Sequence, residues 1–529
     1  MREATVGETT PAALDASVLR DWAGRAVRAL DDHRGELDAL NVFPVADSDT
    51  GTNLYLTLRE GLDALIRDRA GLGGHPAVGD REVARDFARG ALVGARGNSG
   101  VIVSQYIGAL LRTLETGPDV TPELFCRALR TATEAAYRAV AHPVEGTVLT
   151  VARAVGEGAL EASRRAAGLR AAGLRALDVL EAGIDRGYVA LAQTTAQLAA
   201  LRAAGVLDAG AWGLLLVLDA LADALHGPGA RTPRARPAMP VRRDPVGTCA
   251  TEGPGGEFEV MYLVVGDEGS GPTDDGVVAE ALRAGLSAVG DSVAVVGGDG
   301  LWQAHVHTDT PLRAVDAARA ADVEATQIRV RHLASQSGVH GTHRPPLGLV
   351  TVTGAPGLTA DLARAGAVVV LVPPGGAAGP ELERAIDDTG AATVLVLAAD
   401  GLLKGAPERP GVRVADHLSE AQVVAGAATL ASLDPRLGED GLADAVLQAV
   451  LGVRTAAVPG VGSGGHADRA AEAARTLLSE QTTLLTVLTS AATPTDVVDR
   501  VRAEVEGTPV EVVVLPTGAP GDQVVLGAE

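Results

Sequence analysis

NVFPVADSDTGTN, residues 41–53, is the stretch on which the fold and the chemistry of this chain turn. It lies between two helical patterns and sets Asp47 and Asp49 two residues apart in a turn rich in Ser, Thr and Gly. Short-spaced carboxylates on a loop suit Mg²⁺, which keeps several waters and shares its other positions with phosphate oxygens. The loop opens into a helix at Asn53, whose free N–H groups favour an anion. An EF-hand is excluded. Counted from Asp47, the glycine falls at position five rather than six, and Leu58 stands where the closing Glu is required. Taken alone, the same residues also read as an Asp-rich turn that caps a helix.

Outward from this stretch, helical spacing of apolar residues runs over 53–67, 80–92, 100–115, 121–141, 147–183, 188–203 and 211–225. Upstream, Thr10-Pro11 reads as an N-cap and first helical residue, followed by Leu14, Val18 and Trp22. GARGNSG (94–100) runs directly into VIVSQYIGALL. Its glycines let backbone approach a ligand closely and Ser99 can donate to a phosphate, although a glycine triplet between helices also serves close packing. It is not a dinucleotide-binding fingerprint, because a helical pattern precedes it. HPVEGTVLTVARA (142–154) and VLDAGAWGLLL (206–216) each set a glycine and a polar residue at the start of an apolar helix.

The Pro- and Arg-rich stretch 227–246 has no periodicity and reads as a linker. Beyond it strands alternate with helices. The order over 257–333 is β-α-β-β-α-β, the ferredoxin-like arrangement. From Leu347 a second α/β unit begins, its strands separated by single helices. The expected organisation is therefore a helical domain (1–226), a linker (227–246), an α+β middle domain (247–345) and an α/β C-terminal domain (346–529). PGVGSGG (459–465) reads as a loop.

Charge is −22 from 45 basic and 67 acidic residues, which argues against nucleic acid as a partner. Two cysteines, Cys126 and Cys249, exclude a disulfide framework. With no basic leader and no long apolar run, a cytoplasmic protein without stable membrane insertion is expected. Lys404 is the only lysine. A Walker A loop and a protein-kinase site both need a lysine at the phosphates, and the GLLKGAPE context of Lys404 is neither.

Together and in this order, NVFPVADSDTGTN, GARGNSGVI, EGT (145–147) and DAG (208–210) resemble the N-terminal domain of the bacterial fatty-acid kinase A protein. That domain is related to the DAK2-type nucleotide-binding subunit of dihydroxyacetone kinase. The resemblance continues through GDSVAVVGGDGLWQAHVHTDTP (290–311), SQSGVHG (335–341) and PTGAPGDQVVLGAE (516–529). It implies an all-α helical barrel as the N-terminal kinase domain, with two Mg²⁺ ions and ATP at one end. Asp47 and Asp49 match catalytic metal ligands, with Asn41 a further candidate. Thr50, Gly51, Thr52, Asn53, Ser99 and Gly100 match phosphate-contacting positions, and Thr147, Asp208 and Gly210 positions around the nucleotide. The γ-phosphate would pass to the carboxylate of a fatty acid presented by a DegV-like carrier protein, giving an acyl phosphate. Metal ions can neutralise the developing charge without a lysine.

The chain departs from the family pattern at several points. Ser48 replaces the glycine of D-G-D and Ala46 the preceding proline, both keeping the carboxylate spacing. PPGGAAGPE (373–381) and LAADGLLKG (397–405) replace the family's Q-T-M-N-P-S and L-P-N-N-K-N stretches, so the carrier's identity and its mode of docking stay open. Homodimer formation stays open too. Two other readings remain: a nucleotide-binding regulatory or scaffold protein, and a small-polyol kinase subunit, which the long extension past the linker disfavours.

His305 and His307 share one face of a strand, which a surface pair also explains. The resemblance implies a structural Zn²⁺ on this H-x-H and a cysteine of a neighbouring strand. Glu259, in FEVMYL (258–263), takes the cysteine position, and Cys249 is the other candidate.

Overall fold

The computed structural model describes residues 15–71, 80–115, 120–168, 174–227, 256–266, 272–334, 345–460 and 465–529. The expected linker beyond Gly227, Cys249, the Thr10-Pro11 cap, residues 335–341 and 461–464 of the glycine-rich stretch lie outside them.

The N-terminal region is helical, as its periodicity predicts. Its elements are α1 (Ala16–Asp32), α2 (Arg34–Leu40), α3 (Thr50–Gly71), α4 (Asp80–Val93) and α5 (Gly97–Leu114). They are followed by α6 (Pro122–Ala139), α7 (Val148–Gly168), α8 (Ala176–Gln197), α9 (Ala199–Ala204) and α10 (Ala209–His226). Local chemistry starts several of them. The Asp15 carboxylate accepts from the N–H groups of Ser17 and Val18 at 2.8 and 2.9 Å, and Thr121 caps α6, with Pro122 at its first position. Helix α10 is apolar over most of its surface, with Asp219 and Asp223 on one side, and it packs into the core. By length and composition it could cross a membrane, yet 72% of it is buried inside the protein. Trp22 of α1 donates its indole N–H to the Val217 carbonyl of α10 at 3.0 Å, and both Trp22 and Trp212 are fully buried.

The remaining strands are β1 (Phe258–Val265), β2 (Asp291–Gly298), β3 (Leu301–Thr308), β4 (Ala325–His332), β5 (Gly348–Thr353) and β6 (Val368–Leu371). After them come β7 (Val394–Ala399), β8 (Val412–Leu418), β9 (Arg454–Val458), β10 (Leu484–Thr489), β11 (Glu511–Pro516) and β12 (Val524–Ala528). The first eight form one sheet in the order β2-β3-β1-β4-β6-β5-β7-β8, and the last four a second sheet, β11-β10-β12-β9. The two α/β segments expected from sequence thus share a sheet. β4 pairs antiparallel with β6, Ile328 opposite Leu371, so the edge that β4 would otherwise expose is covered. From β6 to β8 the pairing is parallel.

Packing divides the chain into two compact units. One is Met1–Gly255 with Asp267–Arg283 and Ser292–His305; the other is Gly256–Gly266, Ala284–Asp291 and Val306–Glu529. Within the first, Ala141 N–H donates to Val293 at 3.1 Å and the Gln303 amide to the Ala95 carbonyl at 2.7 Å. The second of these ties a strand side chain to the GARGNSG turn.

Candidate active site

Asn41 ends α2 and is buried. Its side-chain amide donates to Asp47 Oδ1 and, at 3.5 Å, to Asp49 Oδ1, so one side chain draws both aspartates together. Ser48, between them, holds φ at +57°, the left-handed conformation that reverses the chain within one residue. The Asp49 carbonyl then accepts from Asn53 N–H at 2.8 Å and starts α3. Gly51 fits here because a Cβ would stand 2.3 Å from the Arg34 carbonyl of α2.

A third carboxylate joins them, one that no local motif singles out. Asp38, on α2, accepts from Thr52 N–H at 2.9 Å and from Thr52 Oγ1 at 2.8 Å. Burial pushes its pKa up to about 6, and the charge of Asp49 adds to the shift. Three carboxylates and an amide oxygen, all hard donors, form the kind of set that holds Mg²⁺. A half-turn of the Asn41 amide presents its oxygen in place of its nitrogen.

GARGNSG packs against the first two turns of α3. Gly97 has φ +55°, and a Cβ on it would lie 2.4 Å from the Asn53 amide nitrogen; a Cβ on Gly100 would lie 2.3 Å from Thr57 Oγ1. Thr57 donates to the Asn53 carbonyl at 2.6 Å and accepts from Arg96 N–H at 3.1 Å. Arg96 is itself buried, one guanidinium nitrogen donating to Gly94 at 2.6 Å. Thr57 and Arg96 are the joints of this contact, and neither stands out in sequence, because their role depends on which helices meet.

Beside Ser99 lie the starts of two more helices. A Cβ on Gly210 would meet Ser99 Oγ at 3.4 Å, Asp208 Oδ1 at 3.5 Å and Val148 Cβ at 3.6 Å. Asp208 caps α10 by accepting from Ala211 N–H at 2.7 Å and also accepts from Val148 N–H at the start of α7. Burial raises its pKa to about 6. Thr147 donates to the Val144 carbonyl at 2.7 Å, shaping the turn into α7. The N-termini of α3, α5, α7 and α10 are thus chained together through Asn53, Gly97, Ser99, Gly210 and Val148. Each contributes the partial positive charge of a helix start, which favours phosphate. The residues matched to metal, phosphate and nucleotide positions all fall on this end of the helical unit.

In the sheet, Glu259, His305 and His307 are buried and offer ligand atoms within 4.8 Å of one another, so the histidines are not a surface pair. Arg331, opposite Glu259 in the β1–β4 ladder, pairs with its carboxylate.

Comparison with known proteins matches residues 44–223 to the DAK2 domain family and 256–339 to the family of fatty acid kinase A-like middle domains. Asp47, Asp49, Ser99, Thr147 and Asp208 lie inside the first match; Asp38 and Asn41 lie just before it. Uncharacterized proteins of Staphylococcus saprophyticus, Staphylococcus haemolyticus and Staphylococcus aureus are each 29% identical over 302 residues, 56% of this chain. The chain spans about half the length of these curated relatives, 51–52%.

Proposed function

We propose, for a chain that is a fatty acid kinase A-like, DAK2-containing protein, that it transfers the γ-phosphoryl group of ATP to the carboxylate of a fatty acid presented by a lipid-carrier partner. The convergence of four helix N-termini beside Asn41, Asp47 and Asp49 carries this reading. Asp47 and Asp49, with Asn41, would hold two Mg²⁺ ions. Bound there, the ions supply charge neutralisation of the phosphates during transfer. The Thr50 and Ser99 hydroxyls and the Asn53 side chain would orient the phosphates, while Gly51, Thr52 and Gly100 set the close packing that brings them to the site. Asp38 fixes the start of α3 through Thr52. Asp208 fixes α7 to α10, so that Thr147 and Gly210 border the nucleotide. The helical unit we read as a barrel, and β1–β4 with their helices as ferredoxin-like.

For the middle domain we propose a structural Zn²⁺ on His305, His307 and Glu259. Arg331 competes for the same carboxylate, so the ion is held weakly and exchanges readily. Elemental analysis of protein purified without chelator tests this, and absence of zinc removes the site.

Turnover decides the kinase reading. ATP consumption should require the fatty-acid-loaded carrier, and Asp47→Ala or Asp49→Ala should lower it on the order of 10³-fold. Stability should change by no more than about 1 kcal/mol, since these loop carboxylates do not hold the core. Near-normal turnover in both variants overturns the metal assignment. ATP binding without carrier-dependent consumption marks a regulatory nucleotide-binding protein instead.

A further inference from the structure

Arginine is the cation of this chain, and in the helical unit several arginines pair with a neighbouring carboxylate. Arg25, Arg130, Arg153, Arg165 and Arg175 each reach a carboxylate within 3.4 Å. One face gathers arginines more densely than carboxylates. Two clefts of about 870 and 700 Å³ flank α5, one against α4 and the 297–301 turn, the other against α6. They share Gln105 and Arg112 and together are lined by six arginines: Arg81, Arg85, Arg89, Arg112, Arg127 and Arg138. All six are exposed. Arg81, Arg85 and Arg112 all act on the single carboxylate of Glu115, so three of the six share one counter-charge. Arg85 reaches Glu115 at only 3.8 Å.

The carboxylates that line the clefts are Asp86, Glu115 and Asp299, so this face is net positive on a chain of net charge −22. Arg81, Arg85 and Arg89 follow one another at one-turn intervals on α4, a spacing at which like charges disfavour the helix. In a chain with a surplus of carboxylates, a face where six arginines stand against three carboxylates offers its excess positive charge to an anion from outside.

We propose that the α4–α5–α6 face docks an acidic segment of a protein partner. Extent favours a protein over a small anion. The α4 arginines span about 12 Å and Arg127 to Arg138 about 16 Å along their helices, with Arg112 on the ridge between. That is a strip for an elongated ligand bearing several carboxylates. The floor between the arginines is apolar, with Ala84, Ala88, Leu92, Ala109 and Leu111, which suits the alternation of an amphipathic acidic helix. Charge complementarity of this kind sets association rate and register and weakens with salt. The proposal does not depend on the kinase reading. It concerns the flank of α5, whereas the candidate active site occupies its N-terminus.

The test uses the full chain and a fluorescently labelled helical peptide of glutamate and alanine, followed by anisotropy at rising salt. The wild type should bind in a salt-sensitive manner. Arg112→Glu and Arg127→Glu should each weaken binding on the order of 10-fold, while Arg165→Glu, on a paired arginine of α7, should leave it unchanged. Circular dichroism on each variant keeps a folding defect from passing as a binding defect, and the single-charge variants Arg112→Gln and Arg127→Gln serve if a reversal fails to fold. Equal weakening by Arg165→Glu overturns the proposal, as bulk charge alone. So does inorganic tripolyphosphate that competes as well as the peptide and is sensitive only to Arg85 and Arg89, which marks a small-anion cleft. A wild-type dimer that Arg112→Glu dissociates also overturns it, assigning the face to a second copy of the chain.

Discussion

The acidic loop at 41–53 and the middle of β1 both bring carboxylates out of water, and the fold answers them differently. On β1, Glu259 is buried and meets Arg331 across the ladder, a cation of the chain's own. In the loop, Asp47 and Asp49 are only half buried and converge on an amide, with Asp38 close behind. Asp208 stands between the two cases, fully buried and held by backbone N–H groups of α10 and α7. A carboxylate closed by its own fold contributes to structure. Carboxylates gathered beside one another and beside helix N-termini form a place where an external cation and anion lower the energy together.

The largest expected effect tests the closed end of this comparison. Arg331→Met leaves Glu259 buried without its guanidinium and should cost about 3–5 kcal/mol, whereas Arg331→Met with Glu259→Leu should recover most of it. Urea unfolding of the three proteins gives the numbers. Zinc added to the single variant should recover part of the cost, because metal takes the guanidinium's place on Glu259 as the zinc proposal requires; if it recovers none, Glu259 serves structure alone.

How much of this was legible depends on the range of the interactions. Most helices of the first unit follow from apolar spacing, although the expected 147–183 stretch is two helices, α8 runs through the expected break before 188, and short α2 gave no signal. Asp47 and Asp49 are visible because both ligands and turn sit in one short stretch. Asp38 was not visible. It lies inside α2, and only the return of the chain at Ser48 brings Thr52 onto it. Arg331 faces Glu259 because β1 and β4 pair in one register, a relation across 72 residues that no local pattern carries. The shared sheet was missed for the same reason, since β4–β6 pairing is non-local. β8 escaped because VRVADHL is half buried and lacks a clean alternation.

A smaller effect separates Asp208 from the loop aspartates by pH. Its pKa is about 6 in the folded chain against an ordinary value of 3.8, so the folded state holds the proton more tightly. Its contribution to stability is therefore full below about pH 4 and is lost as pH rises to about 6, a fall of about 2–3 kcal/mol. Asp208→Asn cannot titrate, so between pH 4 and pH 7 its stability relative to wild type should improve by about that amount. Denaturant midpoints at the two pH values measure it. A wild-type-to-variant difference that stays constant with pH would mean the carboxyl is solvated, and would remove Asp208 from the closed group.

The smallest effect addresses the open end. Ser48 holds φ at +57° with a Cβ in place, a conformation that costs an ordinary residue about 1–2 kcal/mol and glycine almost nothing. Glycine also gives the unfolded chain more freedom, which offsets part of the gain. Ser48→Gly should therefore stabilise the protein by no more than about 1 kcal/mol. It should leave the Mg²⁺ dependence of turnover unchanged, because the reversal of the chain, rather than the serine hydroxyl, sets Asp47 and Asp49 on Asn41. Thermal unfolding and a magnesium titration of turnover read the two quantities separately. If stability rises while magnesium affinity falls, the hydroxyl acts on the cation or its waters, and the open cluster has a further member in Ser48. If stability falls, the turn is held by contacts of the serine side chain, and the loop is closer to the closed carboxylates than its exposure suggests.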